Sequence, residues 1–256
     1  LVGSEMCIRD RNIFGDIMDS FLQEVNKILT KVSIEEKNKM ELAAKVMYDS
    51  LVKNNLVHVF ATGHSHMFCE ELFYRSGGLV GINPILEPFL MQHEGAIRST
   101  QLERMTGLAT IIFNAINKKE KEPFIIVSNS GINAVPVEMA EIVKANHHPL
   151  IVITSVDLSK KSKSRTMNGK KLYELADIVI DNHVPYGDGV FEYQGTKIGS
   201  VSSIIGSFIA QSLVLEVIRL YDENHIIAPI YQSANTIGGD EHNDCLLYTS
   251  PSPRDA

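Results

Sequence analysis

Two short loops in this sequence carry the hydroxyl groups and glycines with which proteins hold anions. The first, Thr62-Gly63-His64-Ser65-His66, follows the apolar run Leu56–Ala61, and the second, Ser128-Asn129-Ser130-Gly131-Ile132-Asn133, follows the apolar run Phe124–Val127. A strand, a glycine-containing loop and a helix start bring the first free N–H groups of the helix and its positive end to the loop. Both loops therefore predict an anion site, whose candidate binding residues are Gly63, Ser65, Ser128, Ser130, Gly131 and Asn133.

Glu70 and Glu71 follow the first loop, for whose helix Ser65 is the predicted N-cap. Successive helical residues differ by ~100° in direction, so only one of the two carboxylates can face the loop. A carboxylate beside a bound ligand could act as a general base and move a proton between adjacent carbons. The alternative is that both acids only stabilise the N-terminal half of a helix.

Histidines near the predicted site offer further candidate groups. His64 and His66 form a His-x-His pair, but the sequence shows no third ligand at a readable spacing, so we predict no metal. We take His66 as a loop donor and a candidate catalytic residue. The His93-Glu94 loop is a possible lid, and His183 follows the last predicted strand, where turn chemistry is the alternative to a site role.

Strands and helices alternate along the chain, which indicates an α/β fold with a doubly wound, five-stranded parallel sheet flanked by helices. Two amphipathic helices come first, over Asn12–Lys31 and from a capping box at Ser33–Glu36 to about Lys53. The predicted strands are Leu56–Ala61, Leu79–Leu86, Phe124–Val127, Leu150–Thr154 and Ala176–Asp181, and the later helices include Val135–Asn146 and Lys197–Tyr221. Pro84 places the second strand at an edge or near its own end.

Composition narrows the class of protein. The chain has 256 residues, 44% of them hydrophobic, a net charge of −7 and three cysteines. The negative charge argues against a nucleic-acid partner, and the few cysteines are typical of a reducing compartment. We find no signal peptide and no apolar run near the ~20 residues of a membrane span, so we predict a cytoplasmic protein without a membrane partner. The basic stretch Lys160–Lys171 is interpreted as a solvated loop that could attract anionic substrates.

The predicted organisation has five parts. Residues 1–11 and 245–256 resemble translated adapter sequence and are left out of the fold prediction. Between them we expect two helices over 12–54, one α/β domain over 55–222 and a C-terminal tail over 223–244. The two leading helices carry more apolar surface than a small domain needs, which predicts a homodimer with Phe14, Phe21 or Leu22 in or beside its interface.

The two loops and the acids together resemble the SIS (sugar isomerase) domain, a family of phosphosugar isomerases, lyases and phosphosugar-binding regulators. Gly63–His66 followed by Glu70-Glu71-Leu72 is similar to phosphoheptose isomerases, which carry a Gly-Gly-Ser-His loop and a Glu-Glu-Leu helix. The resemblance covers roughly Val57–Tyr221. It implies an SIS-type sheet, a homodimer or higher homo-oligomer, a sugar phosphate as ligand, no cofactor, and Glu71 as the catalytic base.

A second resemblance leaves the reaction open. Glu192 and the segment Gly195–Ser203 are similar to a region of the N-acetylmuramic acid 6-phosphate etherases, which makes Glu192 a further catalytic candidate. Phosphoheptose isomerases carry a catalytic histidine in the last helix, whereas Lys197–Tyr221 contains none. An aldose–ketose isomerase is the favoured function, and the alternatives are a phospho-amino-sugar lyase or etherase and a non-catalytic phosphosugar sensor.

Overall fold

A five-stranded parallel sheet forms the centre of the computed structural model, which describes residues 16–249. The strands follow the order β2-β1-β3-β4-β5, which confirms the predicted α/β fold and places Pro84 in an edge strand. They are β1 Val57–Ala61, β2 Ile82–Ile85, β3 Phe124–Val127, β4 Leu150–Thr154 and β5 Ile178–Asp181. A separate antiparallel hairpin joins β6 Gly189–Tyr193 to β7 Thr196–Ser200.

Helices cover both faces of the sheet. They are α1 Ile17–Glu35, α2 Lys37–Leu51, α3 Met67–Leu72, α4 Ala96–Leu102, α5 Leu108–Ala115, α6 Ala134–Ala145, α7 Val156–Lys161, α8 Ser202–Glu223 and α9 Gly239–Thr249. Side chains alternate along each strand, so Ile125 and Val127 of β3 pack towards α2, α3 and α8, while Phe124 and Ile126 pack towards α5 and α6. The central strands are therefore apolar on both faces, as parallel strands usually are.

The junction between α1 and α2 differs from the prediction. Ser33 lies inside α1, where its hydroxyl donates to the carbonyl of Thr30 (2.8 Å), so the predicted capping box is wrong. Glu36 stands at the break between the helices, and its buried carboxylate accepts from Lys39 Nζ (2.8 Å) and the N–H of Asp181 (3.1 Å). The first four residues of the predicted helix, 12–15, lie outside the described part of the chain.

The prediction of a helix starting at Lys197 is also wrong, because residues 196–200 form strand β7. Gln194 and Gly195 both have positive φ (48° and 76°), the geometry of the two-residue turns that match the twist of paired strands. The helix begins at Ser202, whose N–H donates to the carboxylate of Asp188 (2.8 Å). Long-range capping by Asp188, which also lies 3.3 Å from the N–H of Val201, fixes where α8 starts.

Helix α8 is 22 residues long and contains an 18-residue window with a mean hydropathy of 1.6, so by length and composition it could cross a membrane. The expectation that no segment reaches this limit is therefore wrong. One face of α8 packs against α2, where the rings of Tyr48 and Tyr221 meet edge to face at 5.0 Å. Core helices of soluble proteins have this same composition.

The C-terminal part of the described chain returns to the sheet domain. Val80 N–H donates to the carbonyl of Pro229 (3.0 Å), and Tyr231 N–H donates to the carbonyl of Gly78 (2.9 Å). Helix α9 then runs from Gly239 to Thr249, across the predicted boundary at residue 245.

A buried polar network lies towards the amino-terminal ends of the strands, away from the loops described above. His58 Nε2 lies 2.9 Å from the carboxylate of Glu122, and its Nδ1 lies 2.7 Å from the amide of Asn83. Glu122 also accepts from the N–H of Leu56 (2.8 Å), while its carbonyl lies 2.8 Å from His148 Nδ1. Burial alone would raise the pKa of Glu122, but hydrogen bonds from His58 and from backbone N–H groups outweigh burial, so the pKa of Glu122 is lowered. Burial also lowers the pKa of His148.

We expect this network to make the fold sensitive to acid. A group whose pKa is lower in the folded state binds protons more readily when unfolded, so its contribution to stability falls as the pH drops from its ordinary value towards its folded value. Stability should thus decrease below pH ~6.5 through His148 and below pH ~4.5 through Glu122. Glu122→Gln should lower the free energy of unfolding at pH 7 by ~1.5–3 kcal/mol and flatten the acid limb in urea titrations.

Glu120→Gln is the matched control, because Glu120 is exposed two residues away. Equal urea midpoints for the two variants at pH 7 would show that the network does not stabilise the fold.

Candidate functional site

The loops after β1 and β3 meet at the reversal of strand order in the sheet. The chain moves from β1 to the edge strand β2, and from β3 in the other direction to β4, while β1 and β3 are hydrogen-bonded neighbours. In open α/β sheets, ligands bind at the carboxyl ends of the strands at such a switch point. The topology therefore brings the two sequence-predicted loops together.

A cleft with about 380 Å³ of empty volume, part of it open to solvent, lies on the α3 and α8 side of this point. It combines residues from the ends of β1, β3, β4 and β5 with the first turns of α8. Its lining residues are His64, Ser65, Met67, Phe68, Val127, Asn129, Ile153, Asn182, Ser202, Ser203, Gly206 and Ser207. Hydroxyl and amide groups dominate its polar surface, and none of these residues is Asp, Glu, Lys or Arg.

The loop after β1 is wound more tightly than expected. Residues Gly63–His66 form a 3₁₀ turn that leads directly into α3, and Ser65 makes no capping hydrogen bond, so its prediction as the N-cap is wrong. Its side chain lines the cleft instead. His66 Nδ1 contacts the carbonyl of Gly63, and its ring lies 6.4 Å from the ring of His93, so the segment after β2 reaches this loop.

The loop after β3 offers backbone donors. Gly131 has a positive φ of 61°, and a Cβ added there would lie 2.8 Å from Thr154 Oγ1, so both backbone shape and space require glycine. The N–H of Gly131 donates to Ser128 Oγ (3.2 Å). Within residues 16–249, the backbone N–H groups of Ser130, Ile132 and Asn133 have no hydrogen-bond acceptor.

The start of α6 contributes little beyond that loop. Val135 N–H donates to the carbonyl of Glu103 (3.1 Å), and Pro136 has no N–H to offer. The side-chain oxygen of Asn133 accepts from Arg165 (2.5 Å), whose N–H also donates to the carbonyl of Ile132 (3.0 Å). Arg165 thus joins the basic stretch to the second loop by hydrogen bonds, one of which is to Asn133.

Glu103 is a candidate that the sequence analysis missed. Its carboxylate accepts from Thr62 Oγ1 (2.9 Å), and a Cβ on Gly63 would lie 3.9 Å from the same carboxylate. Burial raises the pKa of Glu103, against the opposing effects of hydrogen bonds from Thr62 and Asn133 and of the charges of Arg104 and Arg165. A carboxyl group with a raised pKa, in contact with the loop at the switch point, is a candidate group for proton transfer. Glu103 lies 41 residues after Thr62, and no local pattern marks it.

The two acids predicted from the sequence have partners elsewhere. Glu71 accepts from Arg75 Nη1 (2.5 Å) and from Gln211 Nε2 of α8 (2.8 Å). Glu192 lies exposed in the hairpin with Lys197 Nζ at 3.1 Å. Neither of them lines the cleft, and Glu103 does not line it either, although Glu103 contacts the loop after β1 through Thr62.

Asn182, directly after β5, is a second residue that the prediction did not select. Its side-chain N–H donates to the side-chain oxygen of Asn129 (3.0 Å), which joins the loops after β3 and β5 across β4. His183, the next residue, contacts Glu36 rather than the cleft, with 3.3 Å between Nε2 and Oε1. Within the described chain, no group of three or more His, Cys, Asp or Glu residues could hold a metal ion.

Comparison with known sequences places the chain in a family. A model of the SIS domain matches residues 20–155. A UPF0309 protein of Geobacillus thermodenitrificans is 38% identical over 229 residues, which are 89% of this chain and 92% of that protein. A UPF0309 protein of Caldanaerobacter subterraneus is 39% identical over 236 residues, 90% of this chain and 96% of the relative.

Solved structures share the fold at low sequence identity. A phosphoheptose isomerase from Francisella tularensis superposes with a TM-score of 0.53 at 14% identity, covering 80% of this chain and 97% of that one. The Vibrio vulnificus NanR protein complexed with ManNAc-6P gives 0.52 at 14% identity, covering 96% and 74%. At this identity the superpositions show a common architecture. From the family match and these relatives, we conclude that the chain belongs to the SIS domain family.

Proposed function

We propose that this protein binds a sugar phosphate at the β1/β3 switch point and interconverts its aldose and ketose forms. The observation that carries the proposal is the meeting of two hydroxyl-rich loops beside Glu103, whose pKa is raised. Proteins that share the fold bind such ligands, since one was solved with ManNAc-6P and another, at a TM-score of 0.50, with a second sugar phosphate.

Neutral donors would hold the phosphate. The free N–H groups of Ser130, Ile132 and Asn133 point to an anion cradle built from backbone, and the hydroxyls of Ser128 and Ser130 stand beside it. Because the cleft is lined by serines and asparagines, its polar groups suit the hydroxyls of a sugar. The nearby cation Arg165 is already fastened to the second loop.

Proton transfer needs a base that can reach the carbon next to the carbonyl group. Glu103 is supported by its raised pKa and by its contact with Thr62 at the end of β1. Glu71, the base implied by the phosphoheptose isomerases, is held by Arg75 and Gln211 in this structure. It could serve only after exchanging those partners.

A non-catalytic sensor is the second candidate function, since His64 is the one titratable residue among those that line the cleft. The lyase or etherase interpretation depends on Glu192, whose place in an exposed hairpin gives it less support.

The cytoplasmic location and the homodimer remain predictions. For the dimer, Met18 and Leu22 lie one turn apart on α1 and are 82% and 56% exposed, whereas Phe21 packs against Phe191 at 6.5 Å. Phe14 lies outside the described residues.

Ser130→Ala should weaken sugar-phosphate binding without unfolding the protein. One hydrogen bond to a charged group is worth ~1.5–3 kcal/mol, so the dissociation constant should rise about tenfold or more. Isothermal titration against a panel of sugar phosphates that includes ManNAc-6P measures it. Ser76→Ala, on an exposed residue, is the control. Wild-type affinity in Ser130→Ala would show that this hydroxyl does not bind the phosphate, and equal binding of the dephosphorylated sugar would contradict the anion site.

Replacing each carboxylate by its amide identifies the base. Glu103→Gln should keep sugar-phosphate binding while isomerisation, and solvent-deuterium exchange at the sugar C2, fall by ~10²–10⁴. A base acts in its deprotonated form, so wild-type kcat/KM should rise with pH through a pKa above the ordinary value of 4.5.

The other two variants separate the alternatives. A larger loss in Glu71→Gln would return the base to the residue implied by the phosphoheptose isomerases, and a larger loss in Glu192→Gln would favour lyase or etherase chemistry. If the wild-type protein binds a sugar phosphate but neither exchanges its C2 proton nor converts it, the protein is a sensor.

Leu22→Asp tests the predicted homodimer. Placing a charge in a buried apolar interface costs enough free energy to shift a dimer to monomer, and light scattering at micromolar concentration measures the mass. Met167→Asp, on a residue that is 91% exposed in the basic stretch, should leave the mass unchanged. A wild-type monomer, or an intact Leu22→Asp dimer, would refute the predicted interface.

A further inference from the structure

We propose that Glu36 and His183 are positioning residues, which hold Asn182 so that Asn182 and Asn129 together contact the hydroxyl groups of a bound sugar. The inference rests on the proposed sugar-phosphate ligand. It adds two residues outside the cleft and an amide pair inside it to the candidate site.

The amide pair lies where a ligand would enter. Asn129 and Asn182 both line the cleft, joined by the 3.0 Å hydrogen bond from Asn182 Nδ2 to Asn129 Oδ1. Asn182 is buried, and its own oxygen accepts from the N–H of Val184 (3.1 Å), so its orientation is fixed. Within residues 16–249, the side-chain N–H groups of Asn129 have no hydrogen-bond acceptor. An amide that still offers donors beside an acceptor matches a hydroxyl group, which both donates and accepts.

The turn that presents Asn182 is under strain. His183 has a φ of 52°, in the left-handed region that residues other than glycine seldom occupy. Such a conformation costs free energy and persists only where surrounding contacts enforce it. Asn182 N–H donates to the carbonyl of Thr154 (3.0 Å), and Ser155 Oγ donates to the carbonyl of Val184 (2.7 Å), so the turn is tied to β4 on one side.

Glu36 ties the same turn on the other side. One oxygen of its buried carboxylate accepts from the N–H of Asp181 (3.1 Å) and from Lys39, and the other lies 3.3 Å from His183 Nε2. The imidazole also faces Glu35, with 3.6 Å between Nε2 and Oε2, and Asp181, with 3.6 Å between Nδ1 and Oδ2.

Acidic groups thus surround an imidazole whose Nε2 is buried without a hydrogen-bond partner among the described residues. Packing against these carboxylates, rather than a hydrogen bond, holds His183 at the α1–α2 junction. Through Glu36, the break between these helices therefore contacts both chain neighbours of Asn182, which are Asp181 and His183.

His183→Asn tests the positioning role with little change in backbone preference, because Asn tolerates positive φ. Its matched control is His225→Asn, since His225 has a φ of 56° and is exposed far along the chain. Titrations with ManNAc-6P, a pentose phosphate and inorganic phosphate should show the dissociation constants of the two sugar phosphates rising about three- to tenfold, the effect of one misplaced hydrogen bond, with that of inorganic phosphate unchanged. His225→Asn should match the wild-type protein for all three ligands.

A pair of substitutions at Glu36 provides a second readout. Glu36→Ala removes the acceptor for the N–H of Asp181 and should weaken the sugar phosphates selectively, whereas Glu36→Gln keeps an oxygen there and should restore most of the affinity. If Glu36→Ala does not fold, His183→Asn decides alone.

The outcomes separate this inference from the proposed function. A wild-type protein that binds neither of the sugar phosphates would overturn both. If the wild-type protein binds them and His183→Asn binds them equally well, or weakens inorganic phosphate in parallel, the positioning role is wrong while the proposed function stands.

Discussion

The reversal of strand order between β1 and β3 is the constraint on which the rest of the structure depends. Both strands are buried on both faces, so their backbone groups must pair within the sheet, and His58, the polar residue inside β1, is satisfied by Glu122 and Asn83. The two connections leave in opposite directions, one to β2 and one to β4, which keeps the space above the adjacent strand ends open. Serine, asparagine and glycine can occupy that space because residues there do not have to pack in the hydrophobic core.

Charge is arranged around the cleft rather than in it. The chain carries a net charge of −7, yet the residues that line the cleft include no carboxylate, lysine or arginine. Glu71 is neutralised by Arg75 and Glu192 by Lys197, while Glu103, whose pKa is raised, accepts a hydrogen bond from Thr62 at the end of β1. A site of this kind would recognise an anion by oriented N–H and O–H dipoles rather than by a cationic side chain.

The two ends of the sheet serve different purposes. Towards the amino end, His58, Glu122 and Asn83 satisfy one another in a closed, buried network, and such networks favour one packing arrangement because every polar group has a partner. At the carboxyl end, the N–H groups of Ser130, Ile132 and Asn133 have no partner in the described chain, and Asn182 has only part of its amide engaged. Glu36 links the second end to the helical layer, since its carboxylate accepts from the backbone at the end of β5.

The sequence by itself determined the sheet and the two loops, because both depend on short-range patterns. An apolar run such as Phe124–Val127 needs burial on both faces, and a glycine such as Gly131 marks a loop that no other residue can form. Local signals failed where a distant group decided the outcome. Asp188 caps α8 from across the hairpin, the turn at Gln194-Gly195 converts a predicted helix start into a strand, and α1 runs through a capping-box pattern because its apolar face continues to pack.

The candidate site divides in the same way. Ser65, Ser128 and Gly131 follow their strands directly, so their position at the sheet edge can be read from the chain order. Chain order does not identify Glu103, Asn182 or Glu36, because they come from three other segments. They matter only through contacts, which are those of Glu103 with Thr62, Asn182 with Asn129 and Glu36 with Asp181. The sequence determined which loops lie at the edge of the sheet. Only the tertiary structure decided which side chains from other segments contact those loops, because such contacts depend on how the helices pack over the sheet and not on any spacing along the chain.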